Sequence, residues 1–132
     1  MAEALKLDNL NIGQVALLVN VIAESKGFET TVEQADQKLL LAVGELVEAQ
    51  NELRNGKAVG DLYWVGEDGT EFPAPGGRFP AGKKPEGFGV ECADAVIRIL
   101  QMMAAYKLPV NAIFEAKIRY NETRPAKHGK AF

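Results

Sequence analysis

The chain predicts an all-α fold, a four-helix bundle with one long connection. Three observations carry that reading. Four segments place apolar residues at helical spacing, recognisable stop signals separate them, and residues 55–84 interrupt the pattern with a concentration of glycine and proline. At 132 residues the chain suits one domain with a core of its own.

The first helix is expected from about Asn9 to Lys26. Val15, Leu18, Val19 and Ile22 form a stripe, and Gly27 is a stop. The second is expected to start after Thr30 or Thr31, where Thr31-Val-Glu-Gln34 resembles a capping box. It ends near Arg54, before Asn55-Gly56. Leu39, Val43, Leu46 and Leu53 line one side of it, and Glu45, Glu48 and Glu52 fall on the other. The third helix is expected from about Glu86 to Lys107. Apolar residues cover most of its circumference, leaving Glu91, Asp94, Arg98 and Gln101 as a polar stripe. The fourth begins at Pro109, which suits a first turn, and stops before Pro125. Within the long connection, Leu62-Tyr-Trp-Val65 reads as a strand and Asp68-Gly69 as a tight turn, so part of the segment is a candidate β-hairpin. A connection of this length in a small domain is often functional.

Composition excludes several classes. The hydrophobic fraction is 47%, the charged fraction 25% and the net charge -3, which calls neither for nucleic acid nor for an acidic membrane. The lone Cys92 permits no internal disulfide and no cysteine metal cluster. The N-terminus lacks a basic segment followed by an apolar run, and no stretch is long enough for a membrane span. A reducing, cytoplasmic setting is the expectation.

Chemistry is suggested by two acidic pairs and a basic tail. Glu45-Leu-Val-Glu48 and Glu91-Cys-Ala-Asp94 each have i, i+3 spacing, so on a helix both carboxylates of a pair project from one side. Two such helices together can aim four oxygen ligands at one magnesium site. The bland alternative is a solvated acidic face on the second helix, and an ordinary Asp94–Arg98 ion pair on the third. From Lys117 to Lys130 five Lys or Arg residues face one acid, Glu122. Lys117, Asn121 and Arg124 share a helical face, and His128-Gly129-Lys130 follows Pro125. Such a tail, residues 123–132, suits phosphate, and its bland alternative is a solvated end of the chain.

Ala42-Val-Gly44-Glu45-Leu-Val-Glu48 resembles the "GEL-x-E" helix of MazG-like all-α nucleoside triphosphate pyrophosphohydrolases. Glu91-Cys-Ala-Asp94 resembles that family's E-x-x-D helix, and Lys84-Pro-Glu-Gly87 and Tyr120-Asn121 through Lys130 resemble segments of its small, phage-type members. The resemblance implies the four-helix core of the all-α NTP pyrophosphatases in a homodimer or homotetramer. It implies Mg²⁺, with Mn²⁺ as a substitute, on Glu45, Glu48, Glu91 and Asp94, and hydrolysis of a nucleoside triphosphate, often a deoxy one, to monophosphate and pyrophosphate. Two features depart from the pattern: Ala42 stands where many members carry another glutamate, and the gap between the acidic motifs is long.

On this reading the metal bridges the phosphates, and Glu48 or Glu52 orients or deprotonates the water. Lys117, Arg124 and Lys130 contact phosphate oxygens, with Lys84 a weaker candidate. Asn121 and His128 contact phosphate or sugar. The base is expected between the first two helices, near Asn20 and Phe28. Two other functions share parts of this pattern: phosphoribosyl-ATP pyrophosphohydrolase activity, and a non-catalytic oligomeric helical adaptor.

Overall fold

The computed structural model describes residues 10–126. It is mostly helical, with four helices and one two-stranded sheet among the described residues: α1 Ile12–Ser25, α2 Ala35–Arg54, β1 Tyr63–Val65, β2 Glu71–Pro73, α3 Phe88–Ala105 and α4 Val110–Thr123. Short 3₁₀ turns cover Val32–Gln34 and Pro75–Gly77. Among the described residues the backbone groups into two compact units, one of residues 10–31 with 100–126 and the other of Val32–Ile99. The division falls within α3, between Ile99 and Leu100.

In the first unit, α1 starts at a capping box that the sequence reading did not name. The Asn11 side chain accepts from the Gln14 N–H at 2.9 Å, and the Gln14 side chain accepts from the Asn11 N–H at 3.0 Å. Asn111, on α4, reaches the same corner and accepts from the Gly13 N–H at 2.8 Å. Ala16, Leu100 and Val110 form the buried core of this unit, with Ile12, Val15, Val19, Met103 and Phe114 packed on them. Gln101 donates to Asn20 at 2.8 Å and to Thr30 at 2.9 Å.

Three helices end in the same way. At the end of α1 the Gly27 N–H bonds Glu24 O and the Phe28 N–H bonds Ala23 O, the paired bonds of a Schellman motif. The end of α2 repeats this with Gly56 and Lys57 on Leu53 and Glu52, and α3 repeats it with Lys107 and Leu108 on Ala104 and Met103. Gly27 and Gly56 supply the positive φ that the motif requires, as the sequence predicts. At α3 a lysine takes that conformation instead, with φ 58°. Pro109 precedes α4 and Arg124 caps its end, just before Pro125.

In the second unit the hairpin forms where expected. Strands β1 and β2 pair antiparallel with Trp64 opposite Phe72, and the two rings stack with centroids 4.5 Å apart. Gly69 takes positive φ in the turn, and Thr70 N–H bonds the Asp68 carboxylate at 3.0 Å. The outer end of the long connection is tied down as well, because Tyr63 and Glu86 exchange two backbone hydrogen bonds of 3.1 and 2.9 Å.

The largest difference from the sequence reading is the side of α2 that turns inward. Ala42 and Ala49 are buried, at 5% and 3% exposure, and Glu45 and Glu52 lie half-buried on the same side. The apolar residues of the other side are exposed: Leu39, Val43 and Leu46, the last at 53%. Two alanines admit close approach of neighbouring chain, and it is the acidic stripe that they draw inward. Helix α3 buries Ala95 and Leu100 and leaves Val96, Ile97 and Ile99 exposed, so it is not enclosed all round.

Gly87 closes the connection onto the start of α3. It holds φ 134°, and a Cβ built there would sit 2.3 Å from the Asp61 carbonyl oxygen. Glycine alone fits. Gly87→Ala is therefore expected to destabilise the protein by at least about 2 kcal/mol, read as a lowered midpoint in urea or thermal unfolding.

Candidate metal and phosphate site

All the side chains that build the acidic site belong to the Val32–Ile99 unit. Helix α2 contributes Glu45 and Glu52 from its inward side, and the first turns of α3 contribute Glu91 and Asp94. Glu45, Glu91 and Asp94 each place a carboxylate oxygen within 4.8 Å of the others. Glu52, Glu86 and Glu91 form a second such group. Glu91 is common to both, so five acids from two helices and the segment before α3 make one continuous anionic strip.

Three of the four expected metal ligands thus converge. The fourth, Glu48, is exposed and belongs to neither group. Its place on α2 lies at the edge of the inward side, one turn from both Glu45 and Glu52. Glu52, expected as a candidate for handling water, is in the second group. Glu86 was not expected at all. It precedes α3, so helical spacing does not reveal it, and only the backbone bridge to Tyr63 sets its position.

The strip is only partly neutralised. Arg98 donates from Nε to Glu45 at 2.8 Å, bridging α3 to α2. It was expected to pair with Asp94 on its own helix if the site were merely structural. Lys84 pairs with Glu86 at 3.2 Å, with its side chain largely in solvent. Tyr63 Oη donates to Glu52, lying 2.8 and 3.0 Å from its two oxygens. Two cations and one hydroxyl therefore serve five carboxylates.

Protonation reflects that shortage. Burial, a hydrogen bond with Glu45 and repulsion from Asp94 together push the Glu91 carboxyl up to about 7. Asp94 is also raised, by burial and by Glu45, against the pull of Arg98 and Lys84. The hydroxyl of Tyr63 is pushed well above its ordinary value by burial and by Glu52, so it stays protonated and remains a donor.

The other expected contacts lie elsewhere in the chain. Lys117, Asn121 and Arg124 are on α4 and its cap, in the unit that holds α1. Lys117 Nζ and the Arg124 guanidinium lie 5.2 and 5.6 Å from the Tyr120 ring centroid, so both cations lie against one ring. His128 and Lys130 lie outside the described residues. Asn20 bonds Glu24 and Gln101, and Phe28 is exposed. Cys92 is half-buried with no role in the acidic strip.

Comparison with known proteins adds no relative: no family model, curated protein or solved structure matches the chain. The chemistry of the site therefore rests on its own geometry. Hard, close-set carboxylate oxygens suit Mg²⁺, Mn²⁺ or Ca²⁺ rather than a thiophilic metal.

The raised Glu91 sets a pH dependence. Its folded value of about 7 exceeds its ordinary 4.5, so between these the folded chain binds more protons than the unfolded one. The stabilisation is complete below the lower value and is lost as pH rises through the upper one. Without divalent metal, thermal unfolding is expected to show a higher Tm at about pH 5.5 than at about pH 8, and Glu91→Gln should flatten that difference.

Proposed function

We propose that this protein is a Mg²⁺-dependent nucleoside triphosphate pyrophosphohydrolase of the MazG-like, all-α four-helix type, converting a (d)NTP to the (d)NMP and pyrophosphate. One observation carries the reading: carboxylates from two helices, Glu45, Glu91 and Asp94, turn toward one another within 4.8 Å. A solvated acidic face or an adaptor surface has no use for that arrangement. Like charges brought together in a half-buried place oppose folding, and such a cost is retained where a cation or a reaction uses it.

Glu45, Glu91 and Asp94 would hold Mg²⁺, with Mn²⁺ able to replace it, and Glu86 and Glu48 stand near enough along the chain to complete a ligand set. The metal supplies neutralisation of phosphate charge and orientation of the anhydride for in-line attack. Glu52 extends the strip and takes its hydrogen bonds from a neutral hydroxyl, and we assign it the role of orienting or accepting a proton from the attacking water. Arg98 holds Glu45 toward the cluster. Lys84, Lys117, Asn121 and Arg124 are proposed phosphate or sugar contacts on their charge and donor chemistry.

Self-association belongs to the same proposal. Leu39, Leu40, Val43, Leu46 and Val47 of α2 are exposed, Leu40 at 69%. Placing the acidic side inward leaves this apolar side in need of cover, and a homodimer or homotetramer provides it. Sedimentation equilibrium is expected to return a mass at least twice that of the chain, and Leu40→Lys with Leu46→Lys to return the monomer.

The deciding assay measures pyrophosphate release from the eight common nucleotides and from phosphoribosyl-ATP, with and without Mg²⁺. Release from at least one (d)NTP only with Mg²⁺ is expected, and Glu91→Gln or Asp94→Asn should reduce it to the uncatalysed rate without loss of helical circular dichroism. Preference for phosphoribosyl-ATP would assign the sister activity instead. Millimolar Mg²⁺ should raise the Tm through selective binding to the folded chain, and no shift together with no binding by calorimetry would remove the site.

A further inference from the structure

Resting on the pyrophosphohydrolase reading, in which Glu52 handles the attacking water, we propose that Tyr63 is a positioning residue that holds the Glu52 carboxylate in place, and that the hairpin inserted between α2 and α3 is the brace that carries it. The hydroxyl of Tyr63 lies 2.8 and 3.0 Å from the two oxygens of Glu52, so a single donor holds the carboxylate by both ends. The main chain of the same residue exchanges two hydrogen bonds with Glu86. Tyr63 thereby connects two acids of the Glu52–Glu86–Glu91 group, one through its side chain and one through its backbone.

The ring that carries the hydroxyl is itself held. Lys57 Nζ sits 4.1 Å from its centroid, and Lys57 is ion-paired with Glu71 on β2. The strand pairing Tyr63↔Pro73 fixes the backbone beneath it, and Gly87 lets the start of α3 approach Asp61 beside the hairpin. A flexible glutamate next to Glu86 and Glu91 would otherwise swing away, because like charges repel.

The kind of partner matters too. Arg98 cancels the charge of Glu45, as suits a ligand locked in place. The hydroxyl on Glu52 orients the carboxylate and leaves its negative charge in place, as a group that must take up a proton requires. The Lys57 ammonium is ion-paired with Glu71 and sits over the ring, so it attracts Glu52 through space while the hydrogen bonds to that carboxylate come from the neutral hydroxyl.

A purely structural role, pinning the hairpin to α2, predicts a different outcome, and kinetics separate the two. Tyr63→Phe keeps the ring and removes only the hydroxyl. In full-length protein with Mg²⁺ and the best (d)NTP, kcat should fall about ten-fold with KM within about two-fold. Glu52→Gln should fall at least as far, and the double variant should be no slower than Glu52→Gln alone, since both act through one carboxylate. An unchanged kcat in Tyr63→Phe, or losses that multiply in the double variant, would overturn the proposal. Should Tyr63→Phe fail to fold, Lys57→Met, which frees the ring and keeps the hydroxyl, should lower kcat by about two- to three-fold, and full activity there would overturn it.

Calorimetry with Mn²⁺ needs no turnover and separates this idea from the activity. If the wild type binds Mn²⁺ yet releases no pyrophosphate, the proposed function fails. Because Glu52 stands in one group with Glu86 and Glu91, a loosened Glu52 disturbs the ligands beside it, so in that case a Mn²⁺ affinity weakened about three-fold or more in Tyr63→Phe still supports the positioning role, and an unchanged affinity overturns it. A wild type that binds no Mn²⁺ overturns both.

Discussion

Carboxylates held facing one another are the constraint on which the unit around α2 is organised. Glu45 and Glu52 lie half-buried on the same side of α2 as the buried Ala42 and Ala49, whose small side chains admit close approach of neighbouring chain. The repulsion that results is met in three ways: Arg98 neutralises Glu45, Tyr63 orients Glu52, and Glu91 takes up a proton near neutrality. On the proposed function each response leaves something usable, respectively a fixed ligand, a charged base and a site that would give up its proton to a cation.

The same choice accounts for the other side of α2. An amphipathic helix normally hides its apolar stripe and shows its charges. Here the single chain does the reverse, burying alanines, half-burying Glu45 and Glu52 and exposing Leu39, Leu40, Val43 and Leu46. Such a helix is poorly served by one chain. The proposed function and the proposed self-association are therefore one proposition at the level of α2, since turning the acids in obliges the leucines to turn out.

Much of the fold was legible in local signals. Gly27 and Gly56 stop their helices because they alone take positive φ there without strain, and Asp68-Gly69 makes the hairpin turn for a related reason. Trp64 and Phe72 are strand residues by type and meet as a cross-strand pair. The i, i+3 spacing of Glu91 and Asp94 put them on one side of α3, and they share one group with Glu45. Less was legible where partners are distant in sequence. Arg98 had a local candidate in Asp94 and instead reaches Glu45 on another helix. Glu86 sits outside any helical period, and Tyr63 looked like one more strand aromatic. That Glu52 is half-buried and Glu48 exposed also had no local signal, because the two lie one turn apart on one flank of the helix.

What the amino-acid sequence determined by itself was the four helices, the hairpin and where the helices stop, since stop glycines and helical spacing act over four or five residues and need no distant partner; the starts were less legible, because α2 begins at Ala35 with no side-chain cap in place of the expected Thr31 capping box. Only the tertiary structure decided which side of α2 faces in, which acids meet, and that a tyrosine from the long connection holds Glu52. Those outcomes depend on the volumes of Ala42 and Ala49 and on backbone pairing between Tyr63 and Glu86. Packing and strand pairing bring together residues far apart in the chain, and no local preference encodes them.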